Sequence, residues 1–267
     1  GRTDMGERKT YHRGRRKKKK GGIISTLILI IAIAVFCVSG YQLYKIFGGY
    51  HQGKSEYDKV REVAVHGDDK DEDEFVVDFD ELKKINADTV GWIRFYPEPS
   101  QISYPLVQTT DNDLYLNRTF SANENTVGAI FVNCDNASDF SDRNTIIYGH
   151  RMRDHSMFHD LEKYKDESFW KENPYFYIYT PDGRKLSCHI YSAGIVKDTS
   201  STYLTQFASD EEYQAFLDDT KRAGAYHTGV EVTTDQRVVT LSTCTAASDD
   251  NRMVVRGVIE SEDVVKK

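Results

Sequence analysis

A mainly β chain that closes, or nearly closes, into a barrel behind one N-terminal membrane span is the architecture this sequence predicts. Three observations predict it. There is an uncharged apolar run near the start of the about 20 residues a spanning helix needs, a series of short runs rich in Val, Ile, Tyr and Phe beyond residue 88, and few helical stripes among those runs. The 267 residues suffice for one medium domain or two small ones. Five prolines and a 12% aromatic share exclude a collagen-like or disordered chain.

The charge is unevenly divided. Residues 1–20 carry ten Lys or Arg against Asp4 and Glu7, a balance of +8, so the net −7 leaves −15 on the remainder. Such a remainder repels phosphate, which excludes nucleic acid as a partner. From Ile23 to Leu43 the chain reads IISTLILIIAIAVFCVSGYQL without a formal charge. Arg13, Arg15, Arg16 and Lys17 to Lys20 precede it and acidic sequence follows Lys45, so the positive-inside rule keeps the N-terminus cytoplasmic and puts everything after Phe47 outside. The apolar region of a cleaved signal peptide, about 7–15 residues, is shorter than this run. Lipidation of Cys37 is disfavoured by bulky Phe36 before it.

The expected organisation is a basic tail over 1–20, an anchor over 21–47, a stalk over 48–77, a barrel domain over 78–262 and a short tail over 263–267. Within the stalk, Tyr57, Val60, Val63 and Ala64 make a short helical stripe, and the acidic run from Asp68 to Glu74 around Lys70 reads as a solvated spacer. Asp78 with Glu81 is a capping box opening a helix with Phe79, Leu82 and Ile85 on one face. Strands are expected over 89–95, 127–133, 144–148, 176–180, 185–196, 237–243 and 253–259, with Pro181, Asp182 and Gly183 as a hairpin turn. One helix interrupts them. Ser209 with Glu212 caps it, Tyr213, Phe216 and Leu217 form its stripe, and Gly224 follows Lys221 and Arg222 as a stop.

Reactive groups gather at strand ends. The run NTIIYGH ends at His150, VVTLSTC ends at Cys244, and NRMVVRGVI opens with Arg252. The small, polar residues 245–251 suit a hairpin loop that would return Arg252 beside Cys244. A cation stabilises a thiolate and a developing oxyanion, and an imidazole can protonate a leaving amine, so the trio has the parts for acyl transfer through a thioester. Outside the span stand Cys134, Cys188 and Cys244, which cannot all pair with one another. Core packing is the default for Cys134 and Cys188, with a disulfide between them as the alternative. Trp92 and Tyr175 to Tyr177 read as barrel packing.

At these residues the sequence resembles the sortases, the membrane-anchored cysteine transpeptidases of Gram-positive bacteria, over roughly residues 78–260. Thr240 to Cys244 is similar to the family's nucleophile motif. Tyr104 to Gln108, Asn144 to His150, Ser156 to Phe158 with Leu161 and Tyr164, Tyr179 to Gly183, and the helix Asp210 to Arg222 resemble class B in particular. The resemblance implies a sortase-like closed barrel of about eight strands with an N-terminal helix. It implies Cys244 as nucleophile, His150 as general acid and base, and Arg252 as the group that orients substrate and holds the oxyanion. Arg256 is the rival for that last role. Ser242, on the strand face of Cys244, either touches substrate or hydrogen-bonds a neighbour, and Thr243 is grouped with it as substrate-binding.

The implied partners are secreted proteins bearing a C-terminal sorting signal of NPxTN or xPxTG type, a peptidoglycan amine, and the membrane. Alternatives are a pilin-polymerising sortase, a cysteine peptidase in which water resolves the thioester, and an inactive membrane-tethered binding domain on the same fold. No cofactor is expected, and no metal: His150, His155 and His159, with Asp160 near the last two, occur without HExxH or a cysteine pair, and no DxDxDG loop suggests calcium.

Overall fold

The computed structural model describes residues 21–67, 74–244 and 250–265. The chain divides into two units, Gly1–Phe47 and Gly48–Lys267. In the first, the described residues are helical, the opening part of α1 (Gly21–Ala64), and from Ile23 to Phe47 their large apolar side chains lie exposed. Their mean hydropathy and length pass the threshold for a membrane span.

The second unit starts earlier than the sequence suggests. Residues 48–64 were expected as stalk, yet they continue α1, and Gly53, Tyr57, Val60 and Ala64 are buried at helical spacing on one face. A Cβ at Gly53 would stand 3.0 Å from Val127 Cγ2, so the missing side chain lets the helix approach closely. Val63, counted in the stripe, is exposed. The short strands β1 (Val65–His66) and β2 (Val76–Val77) then pair antiparallel. The acidic run 68–73 lies outside the described residues.

The barrel follows from α2 (Phe79–Ile85), capped as expected by the Asp78 side chain on the Glu81 amide. Its strands are β3 (Thr89–Phe95), β4 (Ser103–Val107), β5 (Ile130–Val132), β6 (Asn144–His150), β7 (Tyr175–Tyr179), β8 (Arg184–Lys197), β9 (Val238–Cys244) and β10 (Asn251–Val264). They close in the order β10-β8-β7-β3-β4-β5-β6-β9. Two pairs, β4 with β5 and β6 with β9, are parallel; the others are antiparallel. The crossover between β6 and β9 carries a 3-10 helix (His159–Lys165), α3 (Glu167–Glu172), the β7–β8 hairpin, a 3-10 turn (Ser201–Tyr203) and α4 (Asp210–Arg222).

Local chemistry accounts for most of these boundaries. Gly183 takes φ +88° in the β7–β8 turn, a conformation open to glycine. The α4 capping box forms on one leg as expected, with Ser209 Oγ accepting from the Glu212 amide; the return leg reaches Ala208 N–H instead of the cap residue. Ala223 closes α4 in a right-handed conformation, so Gly224 serves close packing, a Cβ there standing 3.0 Å from Ser192 Oγ. Strand β4 escaped the pattern reading because Pro105 sits in it and all five positions are buried, which erases the period-two signal. The strand expected from Val127 begins at Ile130.

Trp92 fills the core as expected, donating Nε1–H to Ser103 Oγ at 3.0 Å. Phe176 and Tyr177 are buried in that core, and the half-buried Tyr175 packs against it, its ring stacked on that of Tyr177. Cys188 is buried and Cys134 part-exposed, both as free thiols, so the disulfide alternative does not hold. Burial pushes the Cys188 thiol well above its ordinary range, the state of an inert core residue.

Several carboxylates are held below their usual range: Glu162 by the Arg151 guanidinium, Asp182 by the Thr180 hydroxyl and then Arg184, and Asp139 by Ser141. A depressed folded value contributes stability above the ordinary carboxylate pKa of about 4, and that contribution is lost as pH falls through the folded values. Thermal melts should therefore show a falling midpoint below about pH 4, modest because these groups lie near solvent. A midpoint flat from pH 6 to pH 2 would contradict the assignment.

Candidate active site

The parallel pairing of β6 with β9 decides where the reactive residues meet. Its register runs Ile146↔Thr240, Tyr148↔Ser242 and ends at His150↔Cys244. Across the other edge of β9, β10 pairs antiparallel from Val258↔Val238 to Val254↔Ser242, and two residues further along that register Arg252 comes level with Cys244. Met253 N–H donates to Thr243 Oγ1 at 3.0 Å and holds the two strand ends together. Three residues separated by up to about a hundred positions in the chain thus converge at one barrel rim. Of the loop expected over 245–251, residues 245–249 lie outside the described residues, and Asn251 already belongs to β10.

His150 is part-buried, and its Nε2 lies 2.5 Å from the carbonyl oxygen of Leu116. A carbonyl only accepts, so Nε2 carries a proton in this contact and Nδ1 is the nitrogen left to take up or give up another. Gly128, at φ +66°, backs this ring: a Cβ there would stand 2.8 Å from His150 Cδ2 and 2.7 Å from the Tyr115 carbonyl. Gly149 is confined likewise, since a Cβ would fall 2.5 Å from Ile130 Cδ1 and 2.7 Å from the Phe158 ring. Both Leu116 and Gly128 sit on the β4–β5 connection. That connection is pinned by Tyr57 of α1, whose hydroxyl donates to the Gly128 carbonyl at 2.7 Å and accepts from Phe120 N–H at 3.2 Å.

Arg252 and Arg256 occupy different environments. The Arg252 side chain is 20% exposed, with Nη2 3.7 Å from Asp198 and Nη1 donating to the Asn251 carbonyl. It lines a groove of about 280 Å³ with Leu116, Phe131, Tyr148, Tyr203 and Thr243. Arg256 is wholly buried, donating to Ser192 Oγ at 3.0 Å and Thr202 Oγ1 at 2.8 Å, and desolvation pulls its pKa below the usual guanidinium value. It braces the segment that carries Tyr203 and is shut off from the groove. Arg252 is the one of the two placed to meet a ligand.

Ser242 is fully buried, and its hydroxyl lies 2.8 Å from that of Tyr203. Of the two alternatives for Ser242, the structure displays the hydrogen-bonded neighbour: Tyr203, not Ser242, lines the groove, stacked at 12° on Tyr148. Thr243 has 1% of its surface exposed but borders the groove. Beneath them, Asn144 donates to the Thr202 and Leu204 carbonyls and accepts from Thr240 Oγ1, which fixes this segment over β6 and β9. A larger cavity, about 540 Å³ between α1, the end of β3 and residues 154–157, is lined by neither His150 nor Arg252.

Sequence reading missed Leu116, Gly128, Tyr148, Tyr203 and Asp198. Only Gly128 left a signal, as an isolated glycine inside a strand-like run, which marks close backbone approach. The others act through a carbonyl (Leu116), ring stacking (Tyr148 and Tyr203) or a carboxylate beside Arg252 (Asp198), none of which spacing encodes.

Residues 98–260 match the Sortase domain family, most of the chain and all of the site just described. The chain belongs to the sortase family. It is 31% identical over 231 residues to Sortase B of Staphylococcus aureus, a match covering 86% of this chain and 93% of that protein. Among solved structures it is similar to sortase B from B. anthracis in complex with AAEK1 (TM-score 0.69, 32% identity, 83% of this chain and 100% of that one). It is also similar to a Staphylococcus aureus sortase B-substrate complex (TM-score 0.65, 34% identity, 70% and 85%). Class B is thus the branch of the family to which this sortase is related, its barrel is the sortase barrel, and its activity is that of a cysteine transpeptidase.

Proposed function

We propose that this sortase cleaves a C-terminal sorting signal of NPxTN or xPxTG type after its threonine and transfers the protein to an amine of peptidoglycan. The observation that carries the reading is the register His150↔Cys244, with Arg252 level with the same rim. The Cys244 thiolate attacks the carbonyl carbon after threonine, and the Arg252 guanidinium stabilises the oxyanion. Collapse breaks the C–N bond, His150 gives its proton to the departing amine, and a thioester remains. An incoming amine then loses a proton to His150, forms the new amide bond and expels the thiolate. Thr243 borders the path of the peptide. Residues 21–47 anchor the enzyme, the basic tail stays cytoplasmic, and the barrel faces the wall, where emerging substrates and the acceptor amine meet it. The solved sortase B-substrate complex supports a peptide in the groove.

The test is mass spectrometry of the full chain in detergent with NPxTN and xPxTG peptides and candidate amines, including glycine peptides and lysine. Cleavage after threonine with an amine-dependent product supports the reading and names the signal. Hydrolysis indifferent to amine makes water the acceptor; no cleavage of either peptide, with Cys244 inert to alkylation, overturns the assignment in favour of a binding domain.

Tyr57 acts on His150 through the β4–β5 connection. Tyr57→Phe keeps the buried ring but leaves the Gly128 carbonyl and the Phe120 amide without their partner, at about 1–3 kcal/mol for each buried group. Because the loop it pins holds His150, kcat should fall by up to ~10²-fold with KM little changed. Val60→Ala, which loosens the same helix face without removing a hydrogen bond to the loop, is the control; an equal effect from both would reduce Tyr57 to packing.

A further inference from the structure

The segment that follows His150 brings together side chains for which transpeptidation has no use. His155 and His159 have ring centroids 4.1 Å apart, and Asp160 lies beside them. One donor atom from each of the three falls within 4.8 Å of the others, the one such convergence of His, Cys, Asp and Glu among the described residues. The loop is bent to achieve this: His155 and Met157 take φ of +66° and +59°, and the Met157 amide is held by the Tyr104 hydroxyl at 3.0 Å. Such left-handed values are uncommon outside glycine and invisible in a spacing pattern.

The two oxygens of the Asp160 carboxylate have separate surroundings. Oδ2 accepts from Gln101 Nε2 and from Lys163 Nζ at 3.0 Å, whereas Oδ1 faces His155 Nδ1 at 3.1 Å. The carboxylate is only 2% exposed, so the first pair of donors fixes its orientation and aims Oδ1 at the imidazoles. His159 Nδ1 is buried without a hydrogen-bond partner, an unusual state for a ring nitrogen. Hydrogen bonds that orient a carboxylate from behind are what metal-ligating carboxylates carry. A pair of imidazoles with one carboxylate suits a borderline divalent cation such as zinc and leaves a position open.

We propose that His155, His159 and Asp160 form a binding site for a divalent transition-metal ion on the loop leaving β6. All three ligands lie within six residues, so binding orders little chain that is not already ordered. Phe158 N–H donates to the His150 carbonyl at 2.9 Å inside this loop, so an occupied site braces the backbone of the catalytic histidine. Lys163 opposes added positive charge, but its ammonium sits on the far oxygen and is 43% exposed.

The test is calorimetric titration of the full chain in detergent with zinc chloride. One equivalent should bind; His159→Ala and His155→Ala should each abolish saturable binding, and Gln101→Ala should weaken it about 10-fold. His155 is 66% exposed, so its replacement leaves the fold intact, which a thermal melt verifies. Cys244→Ala should retain the full stoichiometry, because a thiolate beside an imidazole is the rival zinc site. No saturable binding, binding that survives both histidine variants, or binding lost with Cys244→Ala would each overturn the proposal.

Discussion

Cys244→Ala is expected to abolish peptide cleavage, with a loss of at least about 10⁴-fold, while the barrel keeps its melting temperature. The size follows from the chemistry: a nucleophile and its base act as a unit, so removing the nucleophile leaves only binding and oxyanion stabilisation. His150→Ala should approach the same loss, and the double variant should be no worse than the more impaired single one. The register supports this dependence, since His150 and Cys244 end adjacent parallel strands as Cα partners. Trapping is the sharper readout. With substrate but no amine, the wild-type chain should carry a thioester detectable as a mass increase, removable by hydroxylamine; its absence in an active enzyme would count against a covalent route. Cys134 is the internal control for alkylation, since it is part-exposed, free, and raised in pKa by burial and by Asp135.

The second large effect separates two arginines that lie four residues apart on β10. Arg252→Ala should lower kcat by about 10²–10³-fold, the cost of one lost oxyanion partner, with the thermal midpoint unchanged. Arg256→Ala should do the reverse. Removing that side chain leaves a buried cavity and takes the guanidinium donor from the Thr202 hydroxyl and from Ser192 Oγ, which keeps its bond to the Thr220 carbonyl, on the order of 2–5 kcal/mol of stability, while enzyme that remains folded keeps most of its turnover. Circular dichroism melts beside steady-state kinetics decide it. Catalytic loss with intact stability in Arg256→Ala, and none in Arg252→Ala, would exchange the two roles.

Much of this protein was legible before any coordinates. The apolar run from Ile23, the capping boxes at Asp78 and Ser209, the Pro181 to Gly183 turn and the alternating strands are local signals, written in neighbours a few residues apart. So was the position of Cys244, His150 and Arg252 at strand ends, which the register of β6, β9 and β10 brings level; the roles given to them there are those proposed above. A buried strand holding a proline was not; and although Tyr57, Val60 and Ala64 were legible as a helical stripe, their burial with Gly53 against the domain was not, since a short stripe looks like stalk until a barrel lies against it.

What the tertiary structure alone decided is which residues meet. The motif and the strand end already favour Arg252 over Arg256; what the fold adds is the burial that shuts Arg256 off, since period two puts both on one strand face. The covering of Ser242 by Tyr203, the Leu116 carbonyl on His150 and the turn of Asp160 towards His155 and His159 depend on loops brought from elsewhere in the chain. A sequence determines pattern and residue type through interactions along the chain; hydrogen bonds to carbonyls and the burial of a guanidinium are settled only when distant segments close on one another.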